Sequence, residues 1–439
     1  MRESLETDIL YTTIYIAILC IMLWQHQRKI NNRWGVGSVI LLSYIIYPII
    51  GAFWFFEPIP LYISTTDKLK LFPFLYLALM LWIAVLPILR YDRQNINKIQ
   101  PPTMAFLNCF AIIYTICALM RVPEIIPNIS NGIRMLLTDS GAGAILYSES
   151  QILDSSYTGV IHNLPAIIFN IFAPLSYFLF FYYLSLGKKY RWAIIGFVLC
   201  ILIQATYSLS NGQRTSVTMA AFNIIVSYVM MKGMLSERAQ TFIRTTIIAI
   251  FIIISIPFMA LTTSRFEESQ GGVSSSVAFY IGEAPYIFNT RALDANGIRY
   301  GDRTSPIFKK ILGLDTPGGI FEVRDTYPEM RLNDSLFSTF VGDFVLDYGP
   351  IVALMIFVIF CYLFSRLSLP SAPNQIPFHR AVLVYFAMTV CMQGGMYLFS
   401  YAFTRNLSII AVFVFYIFFA IDYTRSQRAQ KNNYYLSKR

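Results

Sequence analysis

The feature that most constrains this chain is a recurrence. Apolar runs about as long as a bilayer is thick return from one end to the other, with polar segments between them. A hydrocarbon core of about 30 Å needs roughly 20 mostly apolar residues per helical crossing. Runs of this kind lie at 9–24, 35–56, 72–89, 103–120, 164–186, 192–209, 215–233, 243–264, 348–365, 381–399 and 406–422. In lipid every backbone N–H and C=O must find a partner inside the protein, and continuous runs of this length do so as helices. The expected fold class is therefore all-α: a polytopic transmembrane helical bundle of roughly eleven spans. Charged residues make up only 13% of the chain, about half the ~25% of soluble domains. The 36 Phe and 29 Tyr are expected at the bilayer interfaces, where amphipathic rings settle.

The connecting segments orient the bundle. Loops 25–34, 90–102, 187–191, 232–244 and 366–380, with the C-terminal tail, hold 19 of the 34 Lys/Arg but only Asp92, Glu237 and Asp422 among the 24 acids. They alternate with the remaining segments along the chain. Short loops rich in Lys/Arg stay in the cytoplasm, which predicts an external N-terminus and a basic cytoplasmic tail. The formal charge of +10 is then membrane anchoring. Without a basic stripe interleaved with exposed aromatics, nucleic acid is not an expected partner. The N-terminal Met1–Asp8 stretch is net acidic, which does not suit a cleavable signal. Cys20, Cys109, Cys117, Cys200, Cys361 and Cys391 all lie in apolar runs, without metal-ligand spacing.

The domain plan that follows has a membrane part at 1–264, a large external loop at 265–347, a second membrane part at 348–422 and a basic tail at 423–439. Within the loop, 334–347 has the pattern of an amphipathic helix lying on the outer face, ended by Gly349-Pro350.

Candidate chemistry gathers on the external side. Ser210-Asn-Gly-Gln-Arg-Thr-Ser216 joins two spans too tightly for a free loop, so Arg214 sits at the interface. There it can grip phosphate oxygens through two N–H groups at once. Arg265 follows the eighth predicted span in the same way. Arg324, Arg331, Asn333 and Asp334 form a polar cluster before the surface helix, and Arg291, Arg299 and Arg303 precede them. Asp343 and Asp347 share a helix face at i, i+4, in the pattern of a structural ion pair or of a general base. His162 is the external histidine. Snorkelling or solvated arginines and a structural histidine account for the same residues without chemistry. With no Gly-Lys-Ser/Thr phosphate loop, no Gly-x-Ser-x-Gly elbow and no ligand cluster, a metal-free and cofactor-free reaction on an activated substrate is expected.

Three stretches are similar to those of the Wzy-type O-antigen and capsular repeat-unit polymerases. They are Ser-Asn-Gly-Gln-Arg214, Tyr280-Ile-Gly-Glu-Ala-Pro-Tyr-Ile-Phe-Asn289, and Arg331-Leu-Asn-Asp-Ser-Leu-Phe-Ser-Thr-Phe-Val-Gly342 with Asp347-Tyr-Gly349. The family's Arg-x10-Gly spacing is met by Arg121 to Gly132 and by Arg331 to Gly342. The layout resembles the family over nearly the whole chain. The related O-antigen ligases carry His where this chain has Arg331. The resemblance implies a glycosyltransferase of the bacterial inner membrane that lengthens glycans carried on undecaprenyl diphosphate. Arg214, Arg265, Arg331, Asp343 and His162 would then be catalytic. Arg121, Arg291, Arg299, Arg303, Arg324, Asn333 and Asp334 would bind substrate. A chain-length regulator and a flippase are the partners it brings to mind. A ligase and a lipid-linked sugar transporter are the alternatives.

Overall fold

The computed structural model describes residues 2–56, 68–123, 125–126, 164–210, 214–246, 272–317, 320–332, 336–396, 398–399 and 402–436. Its helices are α1 (Arg2–Lys29), α2 (Val36–Phe55), α3 (Leu71–Arg93), α4 (Met104–Met120), α5 (Leu164–Leu186), α6 (Arg191–Ser210), α7 (Arg214–Met231), α8 (Gly272–Ile287), α9 (Pro306–Ile311), α10 (Ile320–Thr326), α11 (Thr339–Leu367), α12 (Phe378–Gln393) and α13 (Ala402–Leu436). Two three-residue strands, Lys98–Gln100 and Gln375–Pro377, pair in parallel.

Eight of the described helices are long and apolar enough to cross a membrane. They coincide with eight of the eleven predicted runs. The run at 103–120 is the shorter apolar helix α4, the run at 381–399 is the 16-residue α12, and most of 243–264 lies outside the described residues. The bundle is apolar on its outside. Ile351, Met355, Ile359 and Tyr362 form an exposed stripe along α11, and Val414, Ile417, Phe418 and Ile421 form another on α13. In water such stripes would be a liability; against lipid they are the solvent-facing surface.

The aromatic residues are not confined to the interfaces. Tyr15, Tyr114, Tyr177, Tyr182, Tyr183, Tyr286 and Tyr385 are among the largest fully buried side chains. A buried phenol needs an acceptor, and for several of the buried tyrosines a backbone carbonyl of a neighbouring helix supplies it. Tyr44 donates to the Cys391 carbonyl at 2.9 Å, Tyr286 to Pro48 at 2.8 Å and Tyr385 to Pro174 at 2.8 Å.

The face bearing the basic loops is closed by short staples. Asp92 accepts from the Gly37 N–H at 2.8 Å and lies 3.2 Å from His26 Nε2. Asp422 accepts from the N–H and hydroxyl of Thr103, at 2.8 and 2.6 Å, and so caps the start of α4 from α13. Two of the three acids on this face thus hold loops to helix ends.

The opposite face is built differently. α8 packs antiparallel on the far end of α2, with Trp54 against Phe279 and Tyr286 against Pro48. Between them Gly51 and Gly282 meet backbone to backbone, where a Cβ on either would collide. A π-turn at Phe288–Ala292 then redirects the chain. Asn289 in that turn pairs with both backbone groups of Lys70, at 2.8 and 2.7 Å, and fixes the entry to α3.

The surface helix expected at 334–347 is instead inserted into the bundle. α11 is broken at Gly349 (φ 77°, ψ 165°), a conformation that suits glycine. Its limbs 339–348 and 350–367 fold back on one another. The rings of Phe340 and Phe357 are 5.2 Å apart, whereas an unbroken helix would separate residues 17 apart by about 25 Å. Thr339, Phe340, Val341, Gly342, Val345, Leu346 and Asp347 are all buried. The Phe340 N–H donates to the Gly394 carbonyl at 2.7 Å. The inserted limb therefore sits on the end of α12, which explains why that helix stops at Gln393 rather than running on to 399.

Candidate active site on the face opposite the basic loops

Two buried carboxylates organise this face. Asp347, fully buried near the tip of the α11 hairpin, is saturated. It receives Arg299 Nε at 2.9 Å, the Arg303 N–H at 3.2 Å, and the N–H and hydroxyl of Thr304 at 2.6 and 2.7 Å. The Arg299 side chain also reaches the Asp343 carbonyl, one helical turn earlier, at 3.4 Å. The network continues outward. Tyr327 donates to Asp302 at 2.5 Å, and Asp302 pairs with Lys309. Burial, and then the Asp302 carboxylate, push the Tyr327 phenol up. Asn406 of α13 donates to the Thr304 carbonyl at 2.7 Å. A buried ion pair with every lone pair engaged holds segments in register rather than reacting. Arg299 and Asp347 are a structural pin, in the ion-pair sense of the i, i+4 reading.

The second carboxylate is Glu283 on α8, only 2% exposed. Among the described residues it accepts the Phe337 N–H, while its Oε2 has no hydrogen-bond partner. Burial pushes its carboxyl well above the usual carboxylate range, and the Phe337 N–H offsets this only in part. The neighbouring Ser338 is 3% exposed, with an equally unpartnered hydroxyl. Thr339 then enters α11 at φ 69°, a left-handed conformation that is costly for a β-branched residue. The Gly51–Gly282 contact brings this stretch of α8 hard against α2.

The arginines marked in the sequence lie on several separate elements. Arg121 ends α4, is 5% exposed, and lies over the Tyr207 ring of α6 at 4.7 Å. Arg214 is the first residue of α7. Arg291 lies in the π-turn. Arg303 is buried beside the Asp347 network, and Arg324 is half-buried on α10. Arg331 is exposed and pairs with Asp294 at 2.9 Å; Lys70 approaches the same carboxylate oxygen at 3.7 Å. Asp343 is half-buried on the inserted limb. His162, Arg265, Asn333 and Asp334 lie outside the described residues.

Sequence reasoning passed over several polar groups here. Glu283 was embedded in an apolar stretch with no charged neighbour to flag it. Arg405, at the start of α13, donates to the Leu398 carbonyl at 3.1 Å; its place at a span end is the same signal that marked Arg214. Asn223 and Gln393 pair at 2.9 Å in full burial, and uncharged amides inside apolar runs leave almost no sequence signal. Compared with known protein families, curated proteins and solved structures, the chain matches none of them.

Proposed function

We propose that the protein polymerises oligosaccharide repeat units carried on undecaprenyl diphosphate, at the external face of a bacterial inner membrane. The N-terminus is then external and the basic tail cytoplasmic. A growing glycan leaves its lipid diphosphate and joins a hydroxyl of the incoming lipid-linked unit. The observation that carries this reading is the inserted architecture of residues 272–348. The arginine-bearing segment does not stand away from the apolar helices but is packed among their ends, where an amphipathic substrate offers its diphosphate and sugars. Guanidinium groups stabilise the charge that develops on a leaving diphosphate. Arg121, Arg214, Arg291, Arg324 and Arg331 are the arginines assigned to that task. Arg265, Asp343, His162, Asn333 and Asp334 remain assigned to the site on sequence grounds alone. The Arg299, Arg303 and Asp347 group supports the frame.

Purified protein supplied with lipid-diphosphate repeat units should yield a ladder of longer chains. Arg214→Ala and Arg331→Ala should each shorten the ladder at normal protein level. Products no longer than the input sink the polymerase reading, and unchanged ladders from both variants sink the site. A transporter of the same lipid is the second reading. The break in α11 favours it, because discontinuous helices often line transport sites. Chain growth in detergent, with no second compartment, decides for the enzyme. Transfer to a different acceptor in the same assay decides for a ligase.

A further inference from the structure

A glycosyl transfer needs a base for the acceptor hydroxyl. The sequence nominated Asp343 and His162 for this, and the structure offers a different group. Resting on the reading above, we propose that Glu283 is the catalytic residue that takes the proton from the acceptor hydroxyl.

Three independent observations lead there. Glu283 is 98% removed from solvent, yet among the described residues no Lys or Arg is paired with it. One of its oxygens is held by the Phe337 N–H, which fixes the carboxylate in place. The other oxygen has no partner among the described residues. A buried carboxylate kept only for packing is normally saturated, as Asp347 is. One residue beyond Phe337 the Ser338 hydroxyl is likewise unpartnered. A sugar hydroxyl satisfies Glu283 Oε2 by donating to it. The Phe337 N–H comes from the 336–338 link, which leads into Thr339 at φ 69°.

The step balances without a co-reactant. The acceptor O–H bond breaks and its proton goes to Glu283 Oε2. The freed oxygen pair forms the new bond to the anomeric carbon of the donor. The old bond from that carbon to the lipid diphosphate breaks, and its electron pair leaves on the phosphate. Glu283 later returns the proton to solvent.

The surroundings define the pH response. On the elements packed against α8, the ionisable side chains are Tyr44 and Tyr47 of α2 and Arg291 of the π-turn; α8 itself adds Tyr280 and Tyr286. The phenols ordinarily titrate near pH ~10 and arginine above ~12. Asp343 of the inserted limb and His162 also titrate below the phenols, so the ascending activity limb is assigned to Glu283 by its loss in Glu283→Gln.

The test compares Glu283→Gln, Glu283→Asp and wild type in the chain-lengthening assay, together with thermal unfolding in detergent. Glu283→Gln should lower turnover by about 10²- to 10⁴-fold, with the apparent KM little changed and the ascending limb gone. Glu283→Asp should retain more turnover than Gln. Glu283→Gln should melt at or above the wild-type temperature. Wild-type turnover in Glu283→Gln overturns the assignment, as does a melting point several degrees below wild type, which marks a structural pin. Failure of the wild-type protein to lengthen chains overturns the polymerase reading and this one together. An active wild type with an active Glu283→Gln overturns this one alone.

Discussion

Asp347 and Glu283 are both carboxylates, both buried, and both on the same face of the bundle, but their surroundings differ. Asp347 is met by a guanidinium, two backbone N–H groups and a hydroxyl. Glu283 is met by one N–H. Removing a carboxylate from water costs several kcal/mol, roughly, unless hydrogen bonds and counter-charge replace the lost hydration. At Asp347 the replacement is complete, so folding keeps the ionised group as a joint between the 299–304 segment and the α11 hairpin. At Glu283 it is not, and the cost stands in the folded state. Saturation thus separates the frame of this face from the place where chemistry is expected, although charge and burial alone would have ranked the two alike.

Substitutions can break that contrast. The largest effect is expected from Asp347→Ala, which strands the buried Arg299 guanidinium and the two N–H donors. It should destabilise the protein by about 3–5 kcal/mol, seen as a fall in melting temperature and in yield from the membrane. Asp347→Asn should cost less, because an amide oxygen still accepts from Thr304. If Asp347→Ala melts like wild type, the pin assignment is wrong. Gly282→Ala comes next. Its methyl group meets the Gly51 backbone, and forcing α8 away from α2 should cost about 1–3 kcal/mol. It should also lower turnover, since α8 carries Glu283.

Glu283→Gln acts in the opposite direction. The folded-state pKa of Glu283 lies above its unfolded value, near ~4.3 for a free glutamate. The neutral form is therefore favoured by folding. Its contribution is complete below that unfolded value and is lost as pH rises toward the folded one. Glutamine has no such loss. The melting advantage of Glu283→Gln should consequently widen as pH is raised from about 4 and level off once pH passes the folded-state value. An advantage that shrinks with pH would show that the carboxylate is stabilised after all. The smallest effect is expected at Arg331→Ala. Arg331 and Asp294 are both more than half exposed, and an exposed pair contributes less than about 1 kcal/mol. Its loss should show in product length and hardly in melting.

The crossing helices were legible because a bilayer imposes one requirement, and length with apolarity answers it locally. Positions 9–24, 35–56 and 72–89 needed no knowledge of their neighbours. The 334–347 segment was read as a surface helix because Asp343 and Asp347 make one side of it polar. Asp347 on that side is buried instead, since Arg299 and Thr304 come from another part of the chain to meet it. The predicted span 381–399 is shortened for a similar reason. Phe340 takes the Gly394 carbonyl and occupies the space in which the helix would have continued.

Hydropathy and loop charge are properties of contiguous residues, so an all-α chain of bilayer-length helices with alternating basic loops could be read without any tertiary contact. Only the tertiary structure decided that the 272–348 segment enters the bundle, that Asp347 is saturated, and that Glu283 keeps an unpartnered oxygen. Those facts depend on partners 40 to more than 50 residues away, such as Arg299 and Asp347 or Glu283 and Phe337. No local pattern records whether a distant donor arrives.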